Sequence, residues 1–250
     1  MSPSFLSRPQ SYQDAVAREW LVGNGLGGYA SSTLCGSNTR AYHGLLVAAL
    51  QPPKDRWLLL AFLDEEIEGH HLACHQYPGA IYPQGYQYIR EFRQDPFPRI
   101  CYEVGEARVE KTVFMIRGEN TTIVRYRITG GEGRFSIVPL MHSRSFHAAR
   151  PLPLLLQEEL NRGAQIRSLE KTDALLTLLS DGPDFRADER VYHNFEYEAE
   201  RSRGLAWKED LFSPGCFQME LSGEAEFAIA ASAWRSSMPD WRSEMARERS

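Results

Sequence analysis

Thr122-Ile-Val-Arg-Tyr-Arg-Ile-Thr129, followed at once by Gly130-Gly-Glu-Gly133, is the stretch whose reading decides the fold. Thr122, Val124, Tyr126 and Ile128 alternate with Ile123, Arg125, Arg127 and Thr129. Successive side chains of a strand point to opposite faces, so this period of two predicts a strand with one wetter face. The same grammar recurs outward from it. Residues 135–140 form another short apolar strand after the glycines, while 100–104 and 108–116 flank Gly105-Glu106 as a hairpin. Phe217, Met219 and Leu221 alternate with Cys216, Gln218 and Glu220. Ser222-Gly-Glu224 then turns the chain into 227–234, with Phe227, Ile229, Ala231 and Ala233 on one face. Strands punctuated by turns, without strand–helix alternation, predict an all-β antiparallel β-sandwich.

Two segments interrupt this pattern. Residues 142–163, with Arg150-Pro-Leu-Pro-Leu-Leu-Leu, predict a long excursion off the sheet. Ser237-Met-Pro-Asp240 predicts the start of a short C-terminal helix, with Pro and an acid in its first turn. Trp241 and Met245 are its apolar positions, and a helix so short needs a packing partner. The chain thus divides into a β-sandwich over 1–235 and, over 236–250, the start of a linker helix toward a further domain.

Composition narrows the function classes. The chain has 250 residues, 33 acidic against 28 basic side chains, and a net charge of −5 without a basic block. That balance argues against a nucleic-acid partner held through phosphates. The longest apolar run, 57–63, falls far short of the roughly 20 residues of a membrane-spanning helix. Arg8, Gln10, Gln13, Asp14, Arg18 and Glu19 leave no signal-peptide core, so a cytoplasmic location and no membrane partner are expected. Cys35, Cys74, Cys101 and Cys216 form no C-x-x-C pair and read as reduced apolar residues. His70-His71-Leu-Ala-Cys74-His75 follows a Glu68-Gly69 turn and reads as strand or loop, so no metal site is expected.

Gly23-Asn-Gly25-Leu-Gly-Gly28 satisfies G-x-G-x-x-G, but no helix fits after it and no acid lies between His43 and Leu50. A dinucleotide site needs both, so no cofactor is expected; the glycines serve a tight turn with positive φ angles. Asn24, Tyr29, Arg40, Tyr42 and His43 gather amide, phenol, guanidinium and imidazole groups in one stretch. Aromatic rings cover the C–H faces of pyranoses and forked polar groups meet vicinal hydroxyls, so this mixture predicts a sugar site.

Glu19-Trp-Leu-Val-Gly-Asn-Gly-Leu-Gly-Gly-Tyr-Ala-Ser-Ser-Thr33 and Gly36-Ser-Asn-Thr-Arg-Ala-Tyr-His-Gly-Leu-Leu-Val-Ala-Ala-Leu50 together resemble the opening of bacterial and archaeal glycogen debranching enzymes. The resemblance continues through Pro83-Gln-Gly-Tyr-Gln-Tyr-Ile-Arg-Glu-Phe92, Pro139-Leu-Met-His-Ser-Arg-Ser-Phe-His-Ala148 and Glu209-Asp-Leu-Phe-Ser-Pro-Gly215. It implies the family's N-terminal β-supersandwich, like that of glucoamylases, preceding an α/α barrel that holds the catalytic acid and base. The implied activity of the whole enzyme is amylo-α-1,6-glucosidase, a glycoside hydrolase of glycogen metabolism that removes α-1,6-linked glucose from limit dextrin. This chain would itself be non-catalytic. Its implied partners are α-glucan (glycogen, limit dextrin, maltooligosaccharides) and its own C-terminal catalytic domain.

Glycoside hydrolysis needs two carboxylates across the scissile bond. Asp64-Glu65-Glu66 and Glu158-Glu159 read as solvated charge instead. Ser213-Pro-Gly215 reads as a type II turn that presents Glu209-Asp210 at the mouth of a strand, near Tyr192 and Trp207. Arg144 and His147 on the excursion join the expected glucan rim, while Trp20 and Trp57 sit in apolar runs and are expected in the core. The alternative reading is a free-standing, non-catalytic glycan-binding or regulatory protein.

Overall fold

The computed structural model describes residues 6–147 and 149–248; Ala148 and the two ends of the expected domain ranges lie outside them. Strands take up 58% and helices 9%, which places the chain in the all-β class. The first sheet has nine antiparallel strands. In spatial order they are Leu6–Ser7, Ile89–Arg93, Arg99–Val104, Ala107–Met115, Thr121–Thr129, Ala225–Ser232, Leu175–Ser180, Gly163–Ser168 and Leu155–Leu160. The second runs Asp184–Glu196, Lys208–Ser222, Glu132–Ser145, Lys54–Ile67, Gly44–Gln51, Tyr29–Thr33 and Glu19–Gly23, with His70–His71 added beside Lys54–Ile67. A separate hairpin joins Cys74–Tyr77 to Ala80–Gln84.

The sheets pack face to face as a sandwich whose core follows from the alternation. Val124, Tyr126 and Ile128 are fully buried against Phe135, Ile137 and Phe217 of the second sheet. Each such side chain contributes roughly 1.5–3 kcal/mol of burial. One ion pair crosses this core: the Lys111 ammonium lies 2.6 Å from the Glu65 carboxylate, to which the Tyr126 hydroxyl also donates. The other face of Thr121–Thr129 is wet at Arg127 but dry at Ile123. Ile123 packs with Phe114, Ala228 and Ala230 beneath Trp241 and Met245 of the C-terminal helix Trp241–Glu248. The Trp241 indole N–H donates to Asp181 at 2.6 Å, so this short helix is held by tertiary contacts.

The turns at 130–133 and 222–224 carry the chain between sheets. Thr121–Thr129 pairs with Ala225–Ser232, and Glu132–Ser145 with Lys208–Ser222, so both connections cross at one end of the sandwich. There the Gly223 N–H donates to the Gly131 carbonyl, and Gly130, Gly131, Gly133 and Gly223 all have positive φ. Only glycine adopts that conformation without strain, which explains the composition of both turns.

Three expectations change. Residues 142–163 are not one excursion: Glu132–Ser145 continues through the 142–145 segment, and Leu155–Leu160 is the edge strand of the first sheet. Leucines around Pro151 and Pro153 suggested a loop because an edge strand lacks strict alternation. Ser213-Pro214-Gly215 is no terminal turn but an irregularity inside Lys208–Ser222, where Ser213 pairs with Arg190 and Gly215 with Ala187. A methyl on Gly215 would meet the Arg186 carbonyl at 2.1 Å, so the glycine allows two backbones to approach closely. Trp20 is buried, as expected, whereas Trp57 is only half-buried, beneath the Lys171 ammonium.

The outer face of the second sheet is also covered at its middle. Leu58, Phe62, Leu140, Phe195 and Leu211 form a second apolar layer there. His75 and Tyr77 of the small hairpin pack over Phe195 at ring distances of 5.1 and 5.0 Å. The chemistry-bearing side chains collect around this layer.

Candidate functional site

The glycine-rich stretch closes the hairpin between Glu19–Gly23 and Tyr29–Thr33. Asn24 N–H donates to the Gly28 carbonyl, and Gly25 and Gly27 have φ of 77° and 97°. The buried Asn24 amide donates to the Glu119 carbonyl at 2.9 Å and to Asn120 Oδ1 at 3.0 Å. Its own oxygen accepts from Leu26 N–H. A methyl on Gly28 would fall 2.5 Å from Asn120 Oδ1, so glycine is required at this crossing. Asn24 therefore clamps the turn from inside.

Beside the turn lies an open basin of about 500 Å³, bounded by Pro53, Asp55, Arg56, Ser145, Phe146 and His147. Tyr42 stacks obliquely on Phe146 at 5.4 Å and meets the His147 ring edge-on at 6.3 Å. Tyr29 approaches Phe146 edge-on at 6.4 Å, and its hydroxyl donates to the Tyr42 carbonyl at 2.7 Å. Burial pushes the Tyr29 phenol well above its ordinary pKa, so it stays a neutral donor. The Arg56 guanidinium lies 5.4 Å over the Phe146 ring and donates to the Gly27 carbonyl. The fold thus brings Tyr29, Tyr42 and His147 together around Phe146. Neither Phe146 nor Arg56 stands out in the sequence; the Phe146-His147 pair was the available signal.

Arg144 and Glu209 also meet, but underneath. Both side chains have zero exposure. The guanidinium donates through Nε to Glu209 Oε1 and through Nη2 to Glu209 Oε2 at 3.1 Å, a forked pair. The same Nη2 donates to the Ala41 carbonyl at 3.1 Å, and the Tyr197 hydroxyl donates to Glu209 at 2.6 Å. Ala41 N–H in turn donates to the buried Glu200 carboxylate of the helix Glu198–Ser202. This network holds the 39–43 turn, and with it Tyr42, in place. Glu209 is therefore an internal ion-pair partner rather than a charge on the rim, and Tyr197 and Glu200 are members that sequence reading missed. Glu200 meets a backbone group 159 residues away and Tyr197 meets a carboxylate on the next strand, which no local pattern reveals.

Arg40 and His43, from the same turn, face Glu19. Arg40 Nε lies 2.9 Å and His43 Nε2 3.6 Å from the carboxylate, while His43 Nδ1 accepts from Thr39 N–H. Burial pushes the His43 pKa down to about 4, against the pull of Glu19 and with the help of Arg40. Asp210 is half-buried, accepting from Asn194 N–H at 2.9 Å with the His193 imidazole at 2.9 Å from its other oxygen. Burial tends to raise its pKa, but the Asn194 and His193 contacts outweigh that and the net shift is downward. Trp207 stands apart between Arg201 and Lys208, whose cations lie 4.8 and 4.5 Å from its ring. Tyr192 lies farther along the same sheet face, next to the small hairpin.

No curated protein matches this chain. Among solved structures it is similar to a polysaccharide lyase, at a TM-score of 0.34 and 9% identity, covering 92% of this chain and 34% of that one. The chain thus spans about a third of that structure's length. The family model described as glycogen debranching enzyme N terminal matches residues 18–228, a range that contains the glycine turn, the basin and the Arg144–Glu209 network. The chain belongs to the glycogen debranching enzyme N-terminal family.

Proposed function

We propose that this chain is the glucan-binding N-terminal module of a glycogen debranching enzyme that hydrolyses α-1,6-linked glucose branches of limit dextrin. Catalytic carboxylates would come from a C-terminal barrel. The observation that carries this reading is the basin lined by Phe146 and His147, with the Tyr42 ring packed against both and its turn held by the buried Arg144–Glu209 pair. Rings of this kind cover the C–H face of a sugar, and Lys54, Asp55 and Arg56 beside them offer donors and acceptors to hydroxyls. The carboxylates of Glu65 and Glu209 support chemistry elsewhere. Each is clamped by a cation and a tyrosine hydroxyl, whereas a glycosidase needs one carboxyl held protonated beside its substrate.

Affinity electrophoresis of the chain in a glycogen-containing gel tests the reading. Retardation that soluble maltooligosaccharides relieve, and that Tyr42→Ala weakens, is the expected result. Mobility identical with and without glycogen refutes glucan binding by this module.

A further inference from the structure

A second depression lies on the outer face of the second sheet. It encloses about 400 Å³, within the roughly 300–1,000 Å³ typical of ligand sites. Its floor is made by strand residues such as Glu66, Ser136 and Gln218. One wall is the small hairpin with Tyr77 and Tyr82; the other is the edge strand Asp184–Glu196, with Asp188, Arg190 and Tyr192. The walls converge where Tyr77 meets Phe195, so the groove is closed at that end by apolar rings. Tyr82 is 62% exposed on its wall, its ring 6.3 Å from that of His71.

The charges of the groove are balanced internally. His75 lies 2.8 Å from Asp64, Arg190 2.6 Å from Asp188, and both His71 (3.6 Å) and Arg134 (3.9 Å) flank Glu66. Three carboxylates thus face two guanidiniums, so an anionic ligand finds no surplus of cation. A neutral polyhydroxy ligand finds carboxylates to accept from its hydroxyls, guanidiniums to donate to them, and the exposed Tyr82 and half-buried Tyr192 for its C–H faces. Such paired polar groups discriminate strongly for hydroxyls placed to meet them.

We infer that this groove is a second saccharide site, separate from the basin, which binds a short run of a neutral glucan between Tyr82 and Tyr192. The assignment to glucan rests on the function proposed above; the preference for a neutral chain rests on the groove alone. Two sites on one sheet face would let the module hold a branched polymer at two points, raising avidity without new contacts at either.

The test is calorimetric titration of the chain with maltoheptaose, and with polygalacturonate as an anionic control. The wild-type chain is expected to show two maltoheptaose sites, and Tyr82→Ala to weaken one of them at least tenfold while leaving the other and the thermal melt unchanged, because this ring is largely in solvent. Tyr192→Phe, which keeps the ring of a half-buried residue, is expected to retain most of the affinity. A titration whose number of sites and affinities are the same for wild type, Tyr82→Ala and Tyr192→Ala overturns the groove site and leaves glucan binding to the basin. Tighter binding of polygalacturonate than of maltoheptaose overturns the neutral-ligand assignment. No binding of either saccharide by the wild-type chain overturns the groove and the glucan reading together.

Discussion

Exchanging Arg144 for Met deletes the guanidinium that neutralises Glu209 while keeping a long side chain in a position with no exposure. Glu209 would retain the Tyr197 hydroxyl, but one hydroxyl does not balance a carboxylate cut off from water. Removing one partner of a buried ion pair costs roughly 3–5 kcal/mol. The Ala41 carbonyl also loses a donor, adding about 1 kcal/mol. A chain of this size shifts its melting temperature by roughly 2–4 °C per kcal/mol, so Arg144→Met is expected to lower it by about 8–24 °C. Arg144→Met combined with Glu209→Leu is expected to recover most of the loss, since apolar replacement of a whole buried pair is near neutral. The double-mutant cycle should then give a coupling of about 2 kcal/mol or more. Urea unfolding followed by circular dichroism measures all four proteins. A single variant within about 1 kcal/mol of wild type, or a double variant no better than the single, refutes the claim that this pair holds the 39–43 turn.

Three further outcomes follow from the same network and its supports. His43 is neutral in both folded and unfolded chains above pH 6.5. Below that the unfolded chain takes up a proton that the folded chain refuses until about pH 4, so stability falls by up to about 3 kcal/mol across this window. His142, also depressed mainly by burial, acts in the same direction, and His43→Asn should flatten the slope of urea midpoint against pH; an unaltered slope counts against it. Asn120→Ala strips both bonds to the Ala49 backbone and the bond from the Asn24 amide. Leaving those groups buried and unpaired should cost about 2–4 kcal/mol in the same unfolding assay, and a loss below 1 kcal/mol would contradict the clamp. Trp241→Ala uncovers Phe114 and Ile123 and should cost roughly 3–5 kcal/mol, with new binding of a hydrophobic dye. An unchanged melt would mean that the C-terminal helix does not shield this sheet face.

The amino-acid sequence alone determined the regular central strands, because alternation at 122–128 or 217–221 is a property of neighbours along the chain. It equally determined the glycine turns, whose positive φ angles only that residue adopts freely. It also carried the family, through five blocks that all fall at least partly within residues 18–228. Alternation says which side chains share a face, but not which sheet a strand joins. That is why 130–133 and 222–224 read as ordinary turns, although both carry the chain between sheets. The edge strand at 155–160 was hidden for a related reason, since a strand with one neighbour and only partial burial on either face shows little pattern. The candidate site divides along the same line. Tyr29, Tyr42 and His147 were legible as sugar-binding types, and the fold gathers them around Phe146, with His147 lining the basin. Whether Arg144, Glu209 or Asn24 meets solvent or the interior was decided by partners far away in the chain, Ala41 and Glu209 for Arg144 and Asn120 for Asn24. A charge can be buried only where an opposite charge and hydrogen bonds await it, and those come from the assembled tertiary structure.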